Sequence, residues 1–453
     1  MTLDAYLQAL QNKKIAVLGL GVSNRPLVRL LASHGLDVTG CDKMAEPDEN
    51  LLELQKLGAK LHLGEKYLEN IDADVVFRTP GMRPDTPALT ALREKGAVVT
   101  SEMEAFFEVC PCTIIAVTGS DGKTTTTTLI SELLKKAGRT VHVGGNIGKP
   151  LLPEAGQMAP DDIAVLELSS FQLMDMHHSP HVAVVTNLAP NHLDVHRDMD
   201  EYVAAKKNIF LHQTPDDVLV VNMDNEITDG FAAEARGSVL RFSRQDRPDR
   251  GVCLSGDTIC RDGTPILTRS DILLPGLHNV ENYMAAICAT EGLVSDEDIR
   301  AVARSFGGVE HRIELVRVKD GVKFYNDSIA SSPSRTIAGL RSFDRKVILI
   351  AGGYDKHIPY DVLGPEITAH VRALVLTGAT AQKIKDATLA ARGYRQGEPE
   401  ILEADSFEQA VKTAAAIAHA GDIVLLSPAS ASFDCFRNFM ERGDAFKKLV
   451  AAL

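Results

Sequence analysis

The sequence predicts an α/β protein of three domains, each built on a mostly parallel sheet. The length of 453 residues exceeds what one core ordinarily holds and suggests about three domains. Apolar, strand-like runs also alternate with helix-like segments along the chain, and this alternation favours parallel sheets. Changes of pattern near residues 98 and 307 give predicted domains 1–98, 99–306 and 307–453.

The first domain is predicted from strand-like runs at residues 14–20, 38–42 and 74–78, with a helix through Leu27, Leu30 and Leu31. A Gly-Leu-Gly turn at 19–21 follows the first run, as in turns that approach a nucleotide closely, and Asp42 ends the second run. Asn24 stands where a dinucleotide-binding turn has its third glycine. The turn suits NAD, another nucleotide or no ligand, and these alternatives stay open.

The other two domains repeat the strand and helix alternation. Runs at 112–117, 163–168, 182–187 and 218–222 predict strands of the second domain. Residues 239–275 predict a small antiparallel excursion, and helical periodicity returns over 280–293. In the third domain, runs at 347–353, 373–378 and 422–427 each end in Gly or Ser. Ligands of open α/β sheets bind at the carboxyl ends of strands, so we expect chemistry there.

The strongest local signal is Thr-Gly-Ser-Asp-Gly-Lys-Thr-Thr at 118–125, between a predicted strand and a predicted helix. Backbone N–H groups of such a turn cradle phosphate, and the helix N-terminus adds a favourable dipole. Lys123 would reach the terminal phosphates and the Thr124 hydroxyl would hold Mg²⁺. A full Walker A motif would have glycine at 117, where this chain has valine. The segment predicts a nucleotide-binding loop.

Possible metal ligands follow two neighbouring strands of the second domain. Glu167 ends one strand-like run, and Asn-His-Leu-Asp at 191–194 follows the next. Mg²⁺ prefers oxygen donors that it shares with phosphates. A lone histidine is more often a structural residue than a ligand, but His192 follows the carboxyl end of a strand, so both readings stay open from the residues alone.

Composition excludes several classes of protein. The net charge of −13 argues against nucleic-acid binding, which needs a basic face. No apolar run approaches the ~18 residues of a membrane span, and the first residues do not form a signal peptide. The seven cysteines are irregularly spaced, and the close pair Cys110 and Cys112 has no second pair for zinc. We expect inert thiols in a reducing cytoplasm, and a monomer.

Nine segments together resemble the Mur ligase family, in an order that runs along the whole chain. Besides 118–125 and 191–194 they are Gly-Gly-Asn-Ile-Gly at 144–148, Glu-Leu-Ser-Ser-Phe-Gln-Leu at 167–173, Ala-Ala-Lys-Lys-Asn-Ile at 204–209, Leu-His-Asn-Val-Glu-Asn at 277–282, His-Arg at 311–312, Asn-Asp-Ser at 326–328 and Ser-Pro-Ala-Ser-Ala-Ser-Phe-Asp at 427–434. The resemblance implies a Rossmann-like N-terminal domain, a central P-loop ATPase-like domain and a Rossmann-like C-terminal domain.

The resemblance also implies a reaction. The 167–173 segment and the N-terminal Gly-x-Gly domain are most similar to members that join D-glutamate to UDP-N-acetylmuramoyl-L-alanine. ATP would phosphorylate the substrate carboxylate, and the amine of D-glutamate would attack the acyl phosphate. Such a ligase acts in cytoplasmic peptidoglycan precursor synthesis, and so in cell wall biogenesis, cell shape and cell division. Its partners would be small molecules, with ATP and two Mg²⁺ ions as cofactors.

Carried over by position, the family's catalytic residues correspond to Lys123, Glu167, His192 and Lys206. Thr124, Glu167, His192 and Lys206 would hold the two Mg²⁺ ions, with Lys206 converted by CO₂ to a carbamate, because an ammonium cannot ligate a cation. The residues expected to bind ATP are Gly119, Ser120, Asp121, Gly122, Lys123, Thr124, Thr125, Asn282, Arg312 and Asp327.

The same resemblance assigns the other two substrates. The residues expected to bind the UDP substrate are Gly21, Val22, Ser23, Asp42, Lys43, Gly81, Asn146, Ser169, Gln172 and His192. Those expected to bind D-glutamate are Lys356, Ser432 and Phe433. Many relatives have Lys and Thr where this chain has Ile329 and Ser331. Ile329 removes a positive charge, so the D-glutamate contacts are open to revision.

Three alternatives compete with this function. The first is another amide ligase of the same fold, although a diamino-acid-adding member would carry an Asp-Asn-Pro-Arg motif that this chain lacks, and folylpolyglutamate synthetase has no Gly-x-Gly domain ahead of the phosphate loop. The second is a non-catalytic ATP-binding protein, which the four catalytic matches disfavour. The third is a redox enzyme using the Gly-x-Gly turn. The resemblance disfavours it, because it assigns that turn to the UDP substrate and not to NAD.

Overall fold

The computed structural model describes residues 1–453, which form two compact units. One unit consists of Met1–Arg269 with Glu281–Val302, and the other of Ser270–Val280 with Ala303–Leu453. Three sheets of five, nine and six strands form the framework, the first two in the first unit and the third in the second unit. The predicted fold class is confirmed, and the three domain boundaries stay a prediction.

The N-terminal sheet is wholly parallel, in the order β3-β2-β1-β4-β5. Its strands are β1 Lys14–Leu18, β2 Asp37–Asp42, β3 Lys60–Leu63, β4 Val75–Arg78 and β5 Val98–Thr100, and its helices are α1 Leu3–Ala9, α2 Asn24–Ser33, α3 Glu49–Lys56, α4 Pro87–Glu94 and α5 Glu102–Val109. The three predicted strands are confirmed, with ends shifted by one or two residues. The strand order reverses beside β1, which puts the turn after β1 in the crevice where such sheets bind ligands.

The second sheet has the order β14-β13-β12-β11-β10-β9-β6-β8-β7. Its strands are β6 Thr113–Thr118, β7 Val141–Gly145, β8 Ile163–Glu167, β9 Val182–Val185, β10 Val218–Asn222, β11 Ser238–Ser243, β12 Gly251–Ser255, β13 Thr258–Arg261 and β14 Thr264–Thr268. Its α-helices are α6 Lys123–Lys136, α7 Ser170–Leu173, α8 Met199–Leu211 and α9 Glu226–Gly230, with short 3₁₀ turns at Leu152–Gln157, Phe231–Ala233 and Arg269–Asp271, and α10 Leu277–Ala289 and α11 Asp296–Ser305 follow in the chain.

The four predicted parallel strands of this sheet are confirmed. The antiparallel segment predicted at residues 239–275 is confirmed only for its second half, strands β12 to β14. Strand β11 pairs in parallel with β10, and β12 in parallel with β11, while β12, β13 and β14 form an antiparallel meander. The crossover through α9 returns the chain in the same direction, which a parallel neighbour requires.

The third sheet has the order β15-β16-β20-β17-β18-β19 and is parallel except for the β15–β16 hairpin. Its strands are β15 Glu314–Lys319, β16 Val322–Asn326, β17 Val347–Ala351, β18 Val371–Leu376, β19 Glu400–Glu403 and β20 Ile423–Leu426, and its helices are α12 Pro333–Leu340, α13 Leu363–His370, α14 Ala381–Leu389, α15 Phe407–Ala416 and α16 Phe439–Ala452. The three predicted strands are confirmed, and β16 beside β20 brings residues 327 and 427 to one edge.

The cores follow from continuous apolar strands. All residues of β8 and β17 are buried, as expected for strands covered by helices on both faces. None of the helices combines the length and apolarity that crossing a bilayer requires.

A buried arginine joins the N-terminal sheet to the region around α7 within the first unit. The Arg78 side chain is 1% exposed and forms an ion pair with Asp175. It also donates to the carbonyl oxygens of Met82 at 3.1 Å and Phe171 at 3.3 Å. Arg93 reaches the same Asp175 carboxylate from a more exposed position. The guanidinium of Arg78 therefore satisfies several acceptors that water reaches poorly.

We predict that Arg78→Ala lowers the free energy of unfolding by about 3 kcal/mol, because it removes the donor to two carbonyl groups and leaves the Asp175 carboxylate with only the more exposed Arg93. Arg93→Ala, which removes an exposed partner of the same carboxylate, should cost under about 1 kcal/mol. The shift of the urea unfolding midpoint measures both. Equal shifts for the two variants would contradict the role given to Arg78.

Candidate active site

The predicted nucleotide-binding loop joins the middle of the nine-stranded sheet to a helix. Strand β6 ends at Thr118, and α6 begins at Lys123 after Gly122, whose φ is +80°. A Cβ at Gly119, where φ is +148°, would lie 1.9 Å from Thr186 Oγ1. A Cβ at Gly122 would lie 2.4 Å from Asn282 Oδ1. Only glycine fits both positions, so the loop lies directly against the end of β9 and against α10.

Ser120 and Asp121 fix this loop through the chain that follows β9. The Ser120 N–H donates to Asn187 O at 2.9 Å, and the Asp121 N–H donates to Asn187 Oδ1 at 3.0 Å. The buried Ser120 hydroxyl donates to Ala189 O at 2.8 Å and lies 3.0 Å from the Tyr202 hydroxyl. The first helical N–H to bond within α6 is that of Thr126, to Gly122 O. The N–H groups of residues 123–125 precede that ladder and point out of the helix N-terminus.

Two lysines lie at this loop. Lys123 Nζ donates to the carbonyl oxygens of Gly119 and Ser120, both at 2.9 Å. Lys206, on α8, is 1% exposed, and its Nζ donates to Thr118 Oγ1 and Gly119 O, both at 3.0 Å. Burial lowers the pKa of the Lys206 ammonium well below its ordinary value. The nearby charge of Lys123 lowers it further, and Glu167 partly offsets both. Lys206 is therefore held as a neutral amine more readily than an ordinary lysine.

Glu167 brings together three of the expected site residues. It ends β8, is 2% exposed, and accepts hydrogen bonds from Thr124 Oγ1 and Asn146 Nδ2, both at 2.7 Å. Gly145 permits this approach, because a Cβ there would lie 2.2 Å from Glu167 O. A buried carboxylate beside a threonine hydroxyl and an amide supplies the hard oxygen donors that Mg²⁺ prefers. The residues present therefore fit a divalent cation.

The segment after β8 and the 191–194 segment meet through aromatic rings. His192 is exposed, with φ of +55°, and its ring lies 5.1 Å from that of Phe171. Ser169 and Gln172 form a capping box at the start of α7, with Ser169 Oγ 2.8 Å from Gln172 Oε1. His196, which was not predicted from the sequence, stacks on Phe171 and lies 2.9 Å from Ser170 Oγ. The sequence feature that could have pointed to His196 is its position four residues after His192.

The glycine-containing turn of the first sheet is shaped by its neighbours. A Cβ at Gly19, with φ of +81°, would lie 2.7 Å from Thr79 Cγ2. Asn24 Nδ2 donates to Gly19 O at 2.9 Å, which gives a structural reason for the asparagine at the third glycine position. Asp42 accepts from the Leu20 N–H at 2.6 Å. The remaining expected UDP contacts on this sheet are exposed or half-buried at the same edge: Gly21, Val22, Ser23, Lys43 and Gly81.

In the second unit, Asp327 follows β16 beside the end of β20. The Ser427 hydroxyl donates to Asp327 Oδ2 at 2.7 Å. Burial raises the pKa of the Asp327 carboxyl to about 7, and the hydrogen bond from Ser427 and the charge of Arg312 partly offset this. Arg442 of α16 was not among the residues predicted from the sequence. This arginine is 2% exposed and donates to the carbonyl oxygens of Ser328, Ser430 and Ala431.

The residues expected to bind D-glutamate also lie together in the second unit. Lys356 Nζ lies 5.6 Å from the centre of the Phe433 ring, which is 58% exposed and packs edge-on against Tyr354. Ser432 is buried next to Phe433, and its carbonyl accepts from the Phe436 N–H at 2.8 Å. An exposed ammonium beside an exposed ring can receive an anion.

Comparison with known families decides what this arrangement is. Residues 13–101 match the sequence profile described as "Mur ligase MurD-like, N-terminal domain", residues 117–290 match the Mur ligase middle domain, and residues 311–430 match the "Mur ligase, glutamate ligase domain". The chain belongs to the Mur ligase family. The family expectation stated from its motifs is thereby confirmed.

Relatives of this Mur ligase match it over nearly its whole length. The UDP-N-acetylmuramoylalanine–D-glutamate ligase of Acetivibrio thermocellus is 54% identical over 462 residues, covering 100% of this chain and 99% of the relative. The enzyme of the same name from Clostridium kluyveri is 50% identical, covering 99% of this chain and 98% of the relative.

Solved structures of other Mur ligases share its fold. The UDP-N-acetylmuramate-alanine ligase of Thermotoga maritima has a TM-score of 0.59 at 19% identity, covering 97% of this chain and 100% of that one. A structure of UDP-N-acetylmuramoyl-L-alanyl-D-glutamate–2,6-diaminopimelate ligase has a TM-score of 0.57 at 20% identity, covering 92% of each chain.

We predict that Gly119→Ala lowers the free energy of unfolding by about 1–3 kcal/mol and weakens ATP binding, because its Cβ collides with Thr186 Oγ1. Gly230→Ala is the matched control, since no atom lies within 4 Å of its Cβ position and its φ is −58°. Urea unfolding and titration with a fluorescent ATP analogue measure the two effects. Wild-type ATP affinity in Gly119→Ala would contradict the tight fit of the loop.

Proposed function

We propose that this Mur ligase uses ATP to join D-glutamate to UDP-N-acetylmuramoyl-L-alanine, forming an amide bond and releasing ADP and phosphate. The observation that carries the proposal is the 50–54% identity, over nearly the whole chain, to ligases named for this reaction. The cluster of Lys123, Thr124, Glu167 and Lys206 around one glycine-rich loop supports it. The reaction belongs to peptidoglycan precursor synthesis, and we propose that it takes place in the cytoplasm, by a monomer, with consequences for cell shape and cell division.

The chemistry needs a carboxylate to become an electrophile. Phosphorylation does this, and it brings several negative charges together that cations and N–H groups must stabilise. Lys123, at the start of α6, would stabilise the γ-phosphate, and the N–H groups of residues 123–125 would donate to phosphate oxygens. Because the N–H groups of Ser120 and Asp121 donate to Asn187, we propose that these two residues hold the loop in shape.

Thr124 and Glu167 would hold the first Mg²⁺, which would supply positive charge to the transferred phosphoryl group. The two oxygens of Glu167 accept from two neutral groups, the Thr124 hydroxyl and the Asn146 amide, so this carboxylate is oriented and suited to a cation. His192 and Lys206 would join Glu167 at the second Mg²⁺. His192 is supported by family position alone, since its ring contacts Phe171.

Lys206 would serve as a carbamate. CO₂ reacts with a neutral amine and not with an ammonium, and burial lowers the pKa of Lys206 well below its ordinary value. The carbamate replaces a buried positive group with an anionic oxygen donor beside Lys123. Carbamylation is therefore the change that reconciles a buried lysine with a metal site.

The remaining assignments follow the family positions. Gly21, Val22, Ser23, Asp42, Lys43 and Gly81 would bind the UDP part, and Asn146, Ser169, Gln172 and His192 the rest of that substrate. Asn282, which contacts the loop through Gly122, would bind ATP, and Arg312 and Asp327 are proposed to do the same. Lys356, Ser432 and Phe433 would bind D-glutamate, with Ile329 and Ser331 as this chain's departures from the family pattern.

We predict that the purified protein releases phosphate from ATP only with Mg²⁺, UDP-N-acetylmuramoyl-L-alanine and D-glutamate all present. A coupled assay across amino acids measures this, with L-glutamate as the stereochemical control. Robust release with L-lysine or diaminopimelate in place of D-glutamate would instead identify another Mur-type ligase.

Lys206→Ala should lower kcat by about 10²- to 10³-fold, as expected for losing one group that stabilises the reacting charges, and short carboxylates should partly restore it. Lys207→Ala is the matched control, because Lys207 is next in the chain but pairs with Glu234 at the surface. Labelled bicarbonate and NMR would detect the carbamate directly. Full activity of Lys206→Ala would rule out the carbamate.

A further inference from the structure

Cys110 and Cys112 place two sulfur atoms side by side in the connection between α5 and β6. Cys110 is the C-terminal cap of α5, with extended backbone angles of −63° and 119°, and Cys112 immediately precedes β6. Their Sγ atoms are 3.4 Å apart, and both cysteines are free. Residues two apart in the chain lie at most about 7 Å apart, which overlaps the Cα separations of about 4.4–6.8 Å that disulfides span.

The two thiols are close enough to share a hydrogen bond, in which either sulfur can donate. This contact lowers the pKa of Cys112 to about 7; burial opposes the shift, and the nearby His142 adds to it. The same contact and burial raise the pKa of Cys110. His142 is itself hydrogen-bonded to Asp162 at 2.9 Å, and Asp162 acts on Cys112 in the opposite direction. The lowered pKa of Cys112 increases the share of thiolate at the pair, and thiolate is the reactive form of cysteine.

The two sulfurs differ in access. Cys110 is half-buried, whereas Cys112 is 4% exposed. A reagent would meet Cys110 first, and Cys112 would lie within reach of any group bonded there. This difference in access suits Cys110 as the thiol that reacts first and Cys112 as the resolving thiol.

The other cysteines offer useful contrasts. Cys253 and Cys260 are also neighbours, opposite each other on β12 and β13, but both are 6% exposed and burial raises the pKa of Cys253. Cys435 is exposed but has no cysteine partner, and its pKa is also raised. Cys110 and Cys112 differ from these three cysteines because one thiol is half-buried, the second sulfur lies 3.4 Å away, and the pKa of that second thiol, Cys112, is lowered.

We propose that Cys110 and Cys112 form a dithiol modification site that small-molecule disulfides oxidise reversibly to an intramolecular disulfide. The proton of Cys110 passes along the S–H···S contact to Cys112, and the Cys110 thiolate attacks one sulfur of the small disulfide, releasing a thiolate. Cys112 then gives that proton to the first released thiolate and attacks Cys110 Sγ, releasing the second thiolate. The second thiolate takes a proton from solvent, replacing the one that the pair lost on ionising. Two protein thiols are thereby oxidised, and one small disulfide is reduced to two thiols.

The site is suited to reversal. Bonding requires the sulfurs to approach from 3.4 Å to about 2.05 Å across a ring closed by only one intervening residue, Pro111. Strained disulfides are the more easily reduced and labile ones. The site does not depend on the proposed ligase activity.

The test treats the full-length native protein with oxidised glutathione near neutral pH, followed by acid quenching, alkylation and peptide mapping by mass spectrometry. We expect a Cys110–Cys112 disulfide that dithiothreitol removes, a glutathione adduct on Cys435, and unmodified Cys253 and Cys260. Phenylarsine oxide, which bonds two adjacent thiols and releases water, should protect the same two cysteines and not Cys435.

Two variants sharpen the result. Cys112→Ser should leave Cys110 as a glutathione adduct that does not resolve, because no second thiol is left to displace the glutathione. Cys435→Ser should change nothing at the pair. The proposal would be overturned if Cys110 and Cys112 of the wild type stay alkylatable after oxidation, or if wild-type Cys110 keeps a glutathione adduct. Capture of the arsenical without disulfide formation would overturn it as well. The wild-type map decides the question even if a variant fails to fold.

Discussion

The candidate active site depends on a lack of space between the predicted nucleotide-binding loop, residues 118–125, and the end of β9. Without side chains at positions 119 and 122, the loop closes onto Thr186 and Asn282, and the Ser120 hydroxyl then fixes it to Ala189 O. This contact aims the N-terminus of α6 at the same edge where β8 ends in Glu167. A bulkier loop would move the lysine and threonine that follow away from the carboxylate. The close packing of the loop backbone therefore determines where the charged side chains lie.

Packing also decides the charge states. Lys206 lies on the buried face of α8 under the loop, where its Nζ has two oxygen acceptors and the residue is 1% exposed. Desolvation and the nearby charge of Lys123 both lower the pKa of Lys206 and so disfavour the ammonium. Glu167 is equally buried, yet it is oriented by neutral donors. Two lysines and one carboxylate meet at one strand edge because of where each is anchored, and burial lowers the pKa of one of the lysines, Lys206.

The sequence predicted ten of the twenty strands individually, together with the loop, since these depend on local apolar runs and glycine spacing. Without the family resemblance, a lysine within a helix such as Lys206 is expected to be solvated, whereas in α8 it lies among the buried residues Tyr202, Ala205, Ile209 and Phe210. A lysine on an apolar face was a readable signal. The partners of Ser120 and Asn24 were not readable, because they are set by residues brought together only by the sheet. The half-parallel excursion after β10 was missed for the same reason, since strand direction depends on how a crossover packs.

Lys206 and Arg442 illustrate two uses of a buried cation on a helix. Each lies on the apolar face of its helix and donates to the carbonyl oxygens of a loop at strand ends. Burial lowers the pKa of Arg442 only to about 10, so its guanidinium stays charged at neutral pH and holds residues 328 and 430–431 in place. Burial lowers the pKa of Lys206 well below its ordinary value, so the same environment favours the neutral form of a lysine much more than that of an arginine. Arginine at 442 therefore suits a position that holds its neighbours by a permanent charge, whereas lysine at 206 suits one where the charge can be lost.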